Sequence, residues 1–513
     1  MEHLMPLSGP SRGKAVLLVP RWSEKGAGDV QGVPFRSFVL AAALLEAGFQ
    51  VVLVDQESDL DRAGRWKDLA PHLRDGRAAF LWMNEMYPYR QTVNALDLAA
   101  GIRAEAPETP VIAGGEFISV CPPRFFDFES PLDYFVRGYG EDACLGLLEA
   151  LEKGESPARV PGVAGKDREG RFFANEPRRR GIFSEGVLDL YRRIDLSEYI
   201  QRGGIFGNGE PTLTVGTGRG CVKNCRFCVW SGRPARVLPA RAAVRLIRDL
   251  RERYGVRQFH IGELDFFLGP VRVRRFAELM ARMAPGCYWF ALGSPSDMIR
   301  LRESDWDALY EGGLRKVEIG IESGSDRLLR KLGKRHTASE CLELVRLLNR
   351  RGIHTMSNFL FGFPGETRED RRASLELIER IWSLSRERNV LTFRYFQPSW
   401  DTPLGKEAWA EVKDPPRTLP EYLEGRLAFF SPGARFMPWL GREEEEEIRE
   451  LVDHLLPLAT SKLALAGPLR RGIYRFLRSR AERRLRRREP GRAWERRAYR
   501  LLVREPLDST YVP

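Results

Sequence analysis

Residues 218–230 read GRGCVKNCRFCVW, and this stretch determines which chemistry the rest of the chain must support. Three of the seven cysteines lie in it as Cys221, Cys225 and Cys228, with the spacing C-x3-C-x2-C. Thiolates are soft ligands that suit iron–sulfur clusters or zinc. Three cysteines on one tight loop can hold three irons of a 4Fe–4S cube and leave the fourth iron open to a small molecule. The spacing therefore predicts a catalytic iron–sulfur site.

A structural zinc site is the alternative use of the same triplet. Zinc in a structural site binds four protein ligands, usually Cys or His. No His and no fourth Cys lies within twenty residues of the triplet, and the nearest downstream candidate, His260, falls in a predicted strand. The sequence therefore favours the cluster over zinc.

Composition indicates a large globular protein. The chain has 513 residues, of which 43% are hydrophobic and 30% charged. It has no apolar run of about 18 residues that would predict a membrane span. The first 14 residues have no apolar core of a signal peptide. The four remaining cysteines are scattered singly, as in a reduced cytosolic protein, so we expect a cytoplasmic location.

Residues 14–152 alternate short apolar runs with helical segments. Each run is continuous, as is typical of a parallel strand that is buried on both faces. The alternation predicts a doubly wound, Rossmann-like α/β domain that binds ligands at the carboxyl ends of its strands. The predicted strands are 15–19, 51–54, 78–82, 110–113 and 132–136.

Two glycine loops follow strands of this domain. Gly114 and Gly115 come after the fourth strand, whereas Gly138, Tyr139 and Gly140 come after the fifth strand and open a helix. Glycine at a strand end lets a bulky ligand approach the backbone, and a helix N-terminus favours phosphate. The two loops therefore predict a ligand site.

A second alternation of strands and helices runs from residue 212 to 400. Its six strands predict a partial (β/α)6 TIM-type barrel, whose chemistry sits at the carboxyl ends of the strands. Residues 176–211 are predicted to be a linker, 1–13 an N-terminal tail, and 401–513 a mostly helical region. The predicted barrel strands are 213–216, 258–261, 287–292, 316–321, 355–361 and 391–396.

Together these features resemble the radical S-adenosylmethionine (SAM) enzymes. The cysteine triplet has the aromatic Phe227 directly before its last cysteine, as in that family. The resemblance implies a 4Fe–4S cluster whose open iron chelates SAM, reductive cleavage of SAM to a 5′-deoxyadenosyl radical, and an external electron donor such as flavodoxin or ferredoxin.

The same resemblance assigns roles to three strand ends. Gly262 and Glu263 match the element that receives the SAM amino group, although His260 and Ile261 depart from a strict glycine doublet. Glu322 and Ser323 would lie near the ribose and carboxylate of SAM. The turn that contains Gly362 and Pro364 resembles the one on which adenine lies. No catalytic base and no substrate contact is predicted.

The domain before the barrel resembles the cobalamin-binding domain of many radical SAM enzymes over residues 14–175, including a small hairpin at 162–174. The resemblance implies that Gly114, Gly115 and the loop 138–140 cradle the nucleotide tail of cobalamin. The Asp-x-His-x-x-Gly motif, which supplies histidine to cobalt in many such domains, is absent, so we expect no histidine on cobalt. The alternative is a Rossmann-like domain that has lost cobalamin.

Three functions remain open at this point. The first is cobalamin-dependent methylation of an unactivated carbon in a small-molecule substrate, with two SAM used per turnover. The second is a radical SAM cyclase or rearrangement enzyme in which cobalamin has another role or is absent. The third, a zinc-holding RNA-associated protein, is disfavoured by the SAM elements.

The tail carries the charge of the chain. Residues 462–505 contain sixteen Lys and Arg against four acids, so this segment has a net charge of +12. The whole protein has the same net charge of +12. Within it, residues 468–488 predict a basic amphipathic helix. It could pack on its own barrel, lie on an anionic membrane or, least favoured, bind nucleic acid. The predicted apolar stripe contains Leu469, Ile473, Phe476, Leu477, Ala481 and Leu485.

Overall fold

A computed structural model gives the fold. It describes residues 2–5, 11–20, 32–56, 70–83, 89–178, 183–201, 209–429, 437–460 and 468–487. The chain forms two compact units. The first contains residues 1–201, 213–216 and 414–434, and the second contains 202–212, 217–413 and 435–513.

An eight-stranded sheet forms the centre of the first unit, with the order β1-β3-β2-β4-β5-β6-β7-β8. The five strands β3-β2-β4-β5-β6 are parallel, whereas β1, β7 and β8 pair antiparallel at the edges. The predicted doubly wound α/β class is thus confirmed. The strands are Glu2–Met5 (β1), Lys14–Val19 (β2), Gln50–Asp55 (β3), Gly76–Met83 (β4), Val111–Gly115 (β5), Tyr134–Val136 (β6), Val163–Lys166 (β7) and Phe172–Ala174 (β8).

Helices lie between the parallel strands of the first unit because each crossover must return the chain to the same edge of the sheet. Residues 15–18 of β2 are fully buried, which explains why this strand is a continuous apolar run. The helices are Phe35–Glu46 (α1), Ala70–Arg74 (α2), Tyr89–Glu105 (α3), Glu116–Val120 (α4), Glu141–Glu152 (α5) and Gly186–Arg193 (α6).

Strand β1 and helix α6 are among the elements of this unit that were not predicted. Strand β1 is only four residues long and pairs with the edge of β3. Helix α6 lies within the predicted linker and buries Val187, Leu188, Leu190 and Tyr191. The ring of Tyr191 packs edge-on against Phe38 of α1, with 5.3 Å between the ring centroids.

Six strands form the sheet of the barrel in the order β16-β15-β14-β13-β12-β9. The pairings from β12 to β16 are all parallel, as predicted for a partial TIM-type barrel. A two-stranded pair of β10 and β11 flanks the cysteine loop. The strands are Thr212–Gly216 (β9), Gly218–Arg219 (β10), Arg236–Val237 (β11), Gln258–Gly262 (β12), Tyr288–Gly293 (β13), Leu314–Glu322 (β14), His354–Phe361 (β15) and Asn389–Tyr395 (β16).

Burial alternates along β15 because side chains point in turn to the outer helices and to the inside of the barrel. The outward set is buried under the helices, and the inward set is half-buried. The helices are Ala240–Tyr254 (α7), Pro270–Met283 (α8), Pro295–Met298 (α9), Glu303–Glu311 (α10), Asp326–Lys331 (α11), Ala338–Arg350 (α12) and Arg368–Leu384 (α13).

The C-terminal region is helical, as predicted, but its segments belong to different units. Residues 414–434 belong to the first unit, where Tyr422 packs on Phe117 and Phe125. The later helices belong to the second unit. The helices are Pro403–Ala410 (α14), Leu419–Phe429 (α15), Arg442–Glu450 (α16), Leu456–Thr460 (α17) and Pro468–Arg487 (α18), with one π-helical segment at Leu451–Leu455.

Helix α18 packs on its own unit, which is the first of the three alternatives for the tail. Leu477, Ala481 and Leu485 are almost fully buried. Arg478 lies over the ring of Trp382 in α13, and Glu482 forms an ion pair with Arg386. Because these three residues are covered by protein, they are not available to a membrane.

The predicted stripe differs from the observed one at two described positions. Phe476 is 56% exposed, and Tyr474, which was not predicted, is buried. The helix winds at 3.6 residues per turn, so Tyr474, Leu477, Ala481 and Leu485 fall on one face and Phe476 does not. The side chain of Leu469 lies outside the described residues. Among the described helices, none is long and apolar enough to cross a membrane.

Candidate functional site

The cysteine loop follows β10, and its three cysteines are partly buried. Gly220 has φ +80°, so glycine is needed for the chain to turn into the loop. The Cys228 amide donates to the Cys225 carbonyl at 3.2 Å, and the Arg233 amide donates to the Cys221 carbonyl at 3.0 Å. These bonds close the loop on itself and hold all three predicted ligands on one short segment.

Burial raises the pKa of all three loop thiols. For Cys228, burial and the nearby Cys225 raise the pKa to about 11, although a hydrogen bond with the Trp230 backbone lowers it. A bound metal centre therefore has to displace these protons. Among the described residues, no three His, Cys, Asp or Glu side chains could hold a single metal ion. Three cysteines at this spacing on one loop instead fit an iron–sulfur cluster.

Segments far along the chain support this loop. The Arg226 amide donates to the Leu332 carbonyl at 2.9 Å, and the Leu404 amide donates to the Arg226 carbonyl at 3.0 Å. A Cβ on Gly333 would lie 2.5 Å from the Asn224 carbonyl oxygen, so the backbone approaches the loop closely there. The loop is therefore fixed between α11 and the start of α14.

Phe227 is one of the predicted site residues, and the structure gives it a packing role. Its ring contacts Phe363 edge-on, with 5.6 Å between centroids, and it joins the cluster of buried residues around Phe396 and Leu404. The Lys334 ammonium lies 5.5 Å from the centre of the same ring. Phe227 thus anchors the cysteine loop to the turn after β15, where Phe363 lies.

A buried charge cluster adjoins the loop between two of its cysteines. Lys223 forms an ion pair with Asp297, and its Nζ lies 3.8 Å from Oδ2 of Asp265. Burial and then Asp297 raise the pKa of Asp265 to about 7. None of these three residues was predicted, because strands β12 and β13 bring the two carboxyls to Lys223 from distant positions.

Glu263 lies with Cys221 at one cavity, as the resemblance implied. The cavity has a volume of about 130 Å³ and is also lined by Asp265, Arg219 and Arg272. It therefore brings together one predicted cluster ligand and one predicted SAM contact.

One carboxylate oxygen of Glu263 is bound by neighbouring side chains, and the other has no hydrogen-bond partner among the described residues. The Thr217 hydroxyl donates to Oε1 at 2.5 Å, and Arg272 forms an ion pair with the same oxygen. Oε2 is buried and has no hydrogen-bond partner among the described residues. Burial raises the pKa of Glu263. Such an orphaned oxygen suits an ammonium donor, which is the group that SAM would present.

Glu322 ends β14 in a rare backbone conformation. Its φ of 71° is the one positive value at a non-glycine residue in the described part of the chain. The register between β14 and β15 shifts between Gly320 and Glu322, so a bulge re-aims the Glu322 side chain. Its Oε1 accepts from Lys334 at 2.9 Å, and Lys334 also donates to the Gly320 carbonyl at 3.1 Å.

Lys334 was not predicted, although it is nearly buried beside two cluster cysteines. Burial alone would lower its pKa, but Glu322 and then Cys225 raise it, and the net shift is upward. The ammonium therefore stays charged next to the loop. Its position after α11 gave no sequence signal, because a lysine following a short helix is common on protein surfaces.

Ser323 was predicted to lie near the ribose and carboxylate of SAM, and in the structure its hydroxyl has partners within the protein. It is fully buried, and its Oγ lies 3.1 Å from the Ser374 hydroxyl. It also accepts from the Ser325 amide at 3.1 Å. Ser323 therefore stabilises the turn after β14.

The turn after β15 is also covered. Gly362 has φ +85°, and a Cβ there would collide with the sulfur of Met437. Its carbonyl accepts from the Trp439 indole at 2.8 Å, and the Pro364 carbonyl accepts from Lys331 at 2.7 Å. This side of Gly362 is thus packed against the C-terminal region, and the contact of the turn with adenine stays a prediction. Gly262 is half-buried at the end of β12.

The glycine loops of the first unit are used by the protein itself. A Cβ on Gly114 would lie 2.7 Å from Cε3 of Trp82, and one on Gly140 would lie 2.6 Å from Cζ2 of the same ring. Gly115 abuts the Met83 backbone and Gly138 abuts Pro177. These four glycines thus pack against residues of the protein itself, and their contact with a nucleotide tail stays a prediction.

Tyr139 lines a separate cavity of about 390 Å³ within the first unit. Arg12, Arg137 and Arg178 line the same cavity, together with Asp142 and Glu149. Two guanidinium nitrogens of Arg137 are buried without a hydrogen-bond partner among the described residues. Of the five predicted cobalamin contacts, Gly140 and Tyr139 reach this cavity.

Two families match the chain. Residues 29–148 match the B12 binding domain, and residues 215–378 match the Radical SAM superfamily. The chain is therefore a radical SAM enzyme that carries an N-terminal B12-binding domain. This class brings SAM and a 4Fe–4S cluster as cofactors, and the B12-binding domain brings cobalamin.

One curated relative is the uncharacterized methyltransferase PH0819 of Pyrococcus horikoshii. It is 28% identical over 276 residues, which cover 53% of this chain and 58% of that protein. The chain spans about half the length of the curated relatives it matches.

Two solved structures share the fold. One is the radical SAM methyltransferase TsrM from Kitasatospora setae, with cobalamin and a [4Fe–4S] cluster bound. The TM-score is 0.63 and the sequence identity 21%, and the match covers 93% of this chain and 99% of the TsrM chain. The other is the cobalamin-dependent SAM radical enzyme OxsB, with a TM-score of 0.67, 14% identity, and coverage of 96% and 75%. At these identities the likeness concerns the fold.

Proposed function

We propose that the protein is a cobalamin-dependent radical SAM methyltransferase that methylates an unactivated carbon of a small molecule. The observation that carries the proposal is the presence of a B12-binding domain at 29–148 and a radical SAM domain at 215–378 in one chain. The methyltransferase name of a relative and the folds of TsrM and OxsB support it.

Cys221, Cys225 and Cys228 would hold the cluster, which when bound supplies the electron for cleavage of SAM. Glu263 would then accept the SAM ammonium on Oε2, because this oxygen is buried and Oε1 is already held by Thr217. Those bonds orient the carboxylate before SAM arrives, so little reorganisation is required.

Glu322 and Lys334 form the second half of the proposed SAM site. The bulge in β14 directs Glu322 towards Lys334, which lies beside the ring of Phe227. The raised pKa of Lys334 keeps a positive charge there, which suits an anionic group such as the SAM carboxylate.

The inside of the barrel offers polar groups to a substrate. The Asn358 amide donates to Glu318 at 2.7 Å, and the Thr392 hydroxyl donates to Asn358 at 2.5 Å. These residues lie on three adjacent strands and are linked by hydrogen bonds, with Asn358 on the half-buried face of β15. The row supports a polar small molecule as substrate.

The alternative is a radical SAM cyclase or rearrangement enzyme in which cobalamin has another role. The same cluster and SAM site would serve that enzyme. The role of the cobalamin bound by the first unit therefore distinguishes the two functions. The proposal also includes a cytoplasmic location and an external electron donor such as flavodoxin or ferredoxin. Its domain limits are 14–175 and 212–400.

Anaerobic reconstitution tests the cofactor set. Protein reconstituted with iron and sulfide and then given cobalamin should contain about four irons and bind one corrinoid. With SAM and a chemical reductant it should form 5′-deoxyadenosine. Replacing all three loop cysteines by Ala should abolish the iron and the 5′-deoxyadenosine, whereas Cys341→Ala, at a buried cysteine in α12, should keep both. Stoichiometric zinc, or 5′-deoxyadenosine from the triple variant, would overturn the proposal.

A further inference from the structure

Two glycines from different loops enclose one aromatic ring in the first unit. Gly114 pairs with Trp82 across β4 and β5, and Gly140 is the residue before α5. The atoms of Trp82 that a Cβ on either glycine would meet all belong to the six-membered ring of the indole. This ring therefore fills the slot between the two glycines.

Packing against Trp82 explains why Gly114 is glycine. Its backbone is not in the positive-φ region, and the three atoms nearest to an added Cβ all belong to the indole, which leaves no room for a side chain at this position. Gly140 has φ +86° and needs glycine for its backbone as well. Trp82 is 3% exposed, so its ring is a buried part of the domain and not a surface group.

The shape of the ring points to what it replaces. Cobalamin carries a benzimidazole base at the end of its nucleotide tail, which is a six-membered ring fused to a five-membered nitrogen heterocycle. Indole has the same fused outline. We propose that Trp82 occupies the place of this base, so that the protein selects a corrinoid by its corrin ring and does not seat the nucleotide base between Gly114 and Gly140.

This inference rests on the corrinoid binding in the proposed function, and it adds a specificity determinant. A base that entered the slot would have to displace the indole. The apolar area exposed by Trp82 would then roughly equal the area buried by the base, so the exchange would gain no affinity. The tail should therefore contribute little to binding in the wild-type protein.

Binding of cobalamin and of cobinamide, the corrinoid that lacks the nucleotide tail, tests this directly. The wild-type holoprotein with its iron–sulfur cluster is titrated with each corrinoid and followed by absorbance. The two dissociation constants should agree within about threefold. In Trp82→Ala the slot is open, so cobalamin should bind at least about tenfold more tightly than cobinamide.

Phe80→Ala is the matched control. Phe80 is a buried aromatic residue two positions earlier on the same face of β4, and it is not among the atoms nearest to either glycine. This variant should keep the wild-type ratio of the two constants. Trp82→Phe, which retains a ring, serves as a second variant if Trp82→Ala does not fold, and it should give an intermediate ratio.

The outcomes separate this inference from the proposed function. A wild-type protein that binds cobalamin tenfold or more tightly than cobinamide overturns the role of Trp82 and leaves the proposed function standing. An unchanged ratio in both Trp82 variants also overturns it. If the wild-type protein binds neither corrinoid, both the cobalamin part of the proposed function and this inference are overturned.

Discussion

The Nζ atom of Lys334 lies 2.9 Å from Oε1 of Glu322, and the two side chains form a nearly buried ion pair beside the cysteine loop. The pair joins the end of β14 to the segment after α11, which itself supports the loop through Leu332. An isolated charge at such a position is costly, so each partner depends on the other.

A double-mutant cycle should detect this dependence. Glu322→Gln and Lys334→Met should each destabilise the protein by about 2–4 kcal/mol, because each leaves one buried charge without its partner. The double variant should lose less than the sum of the two, with a coupling on the order of 1–3 kcal/mol in denaturant unfolding. The exposed pair Glu149–Lys153 is the control and should show no measurable coupling. Strictly additive losses at Glu322 and Lys334 would contradict the pairing.

Glu263→Gln should weaken SAM binding. It removes the charge that would accept the SAM ammonium on the orphaned Oε2, which predicts a loss of about 1.5–3 kcal/mol, or roughly 10–150-fold in Kd. Isothermal titration of the reconstituted protein measures it. Glu278→Gln, at an exposed position in α8, should leave the affinity unchanged. An unchanged Kd with normal iron content in Glu263→Gln would show that this strand end does not bind SAM.

Glu366 should make the stability of the barrel depend on pH. Burial raises the pKa of Glu366 from 4.5 to about 7, although its Oε2 accepts from the Gly362 amide at 2.5 Å. The folded state therefore holds a proton that the unfolded state releases between these two values. Stability from this group is complete below 4.5 and is lost as the pH rises through about 7.

Glu366→Gln should remove this dependence. The variant should match the wild type near pH 4.5 and exceed its stability at pH 8 by on the order of 1–3 kcal/mol, as measured by denaturant unfolding. Glu369→Gln, at an exposed neighbouring carboxyl, should retain the wild-type profile. A Glu366→Gln profile parallel to that of the wild type would contradict the shift.

The two faces of α18 should respond differently to truncation. Leu477→Ala opens a cavity in the packing of the second unit and should cost about 2–4 kcal/mol. Phe476→Ala, one residue earlier on the exposed face, should change stability by less than about 0.5 kcal/mol. Because the buried stripe faces protein, the wild type should not sediment with neutral or anionic vesicles. Salt-sensitive binding to anionic vesicles that is lost in Phe476→Ala would contradict this account.

The sequence predicted the fold well because buried parallel strands are continuous apolar runs, as in 15–19, and because glycines mark strand ends. It did not predict β1, since a four-residue edge strand has too little pattern. It also predicted that Cys221 and Glu263 would share one end of the barrel, and they line the same cavity.

Contacts between segments that are distant along the chain could not be predicted from the sequence. The direction of the Trp82 side chain across the sheet determines whether the slot beside Gly114 is open, and periodicity gives only the face on which a residue lies. Ser323 and Gly362 fit a motif locally, yet Ser374 and Met437 cover them from other parts of the chain. Tertiary packing, not spacing, determines which motif residues remain accessible.

S-adenosylhomocysteine formation tests the central claim most directly. The cluster-loaded protein is incubated anaerobically with SAM and reductant, with and without cobalamin, and both SAM products are quantified. The account predicts S-adenosylhomocysteine only when cobalamin is present, up to about one equivalent per bound corrinoid without substrate, alongside 5′-deoxyadenosine. With substrate, the two products should accumulate in equal amounts, since two SAM are used per turnover. Formation of 5′-deoxyadenosine with no S-adenosylhomocysteine at any cobalamin concentration would contradict methyl transfer and favour the cyclase or rearrangement function.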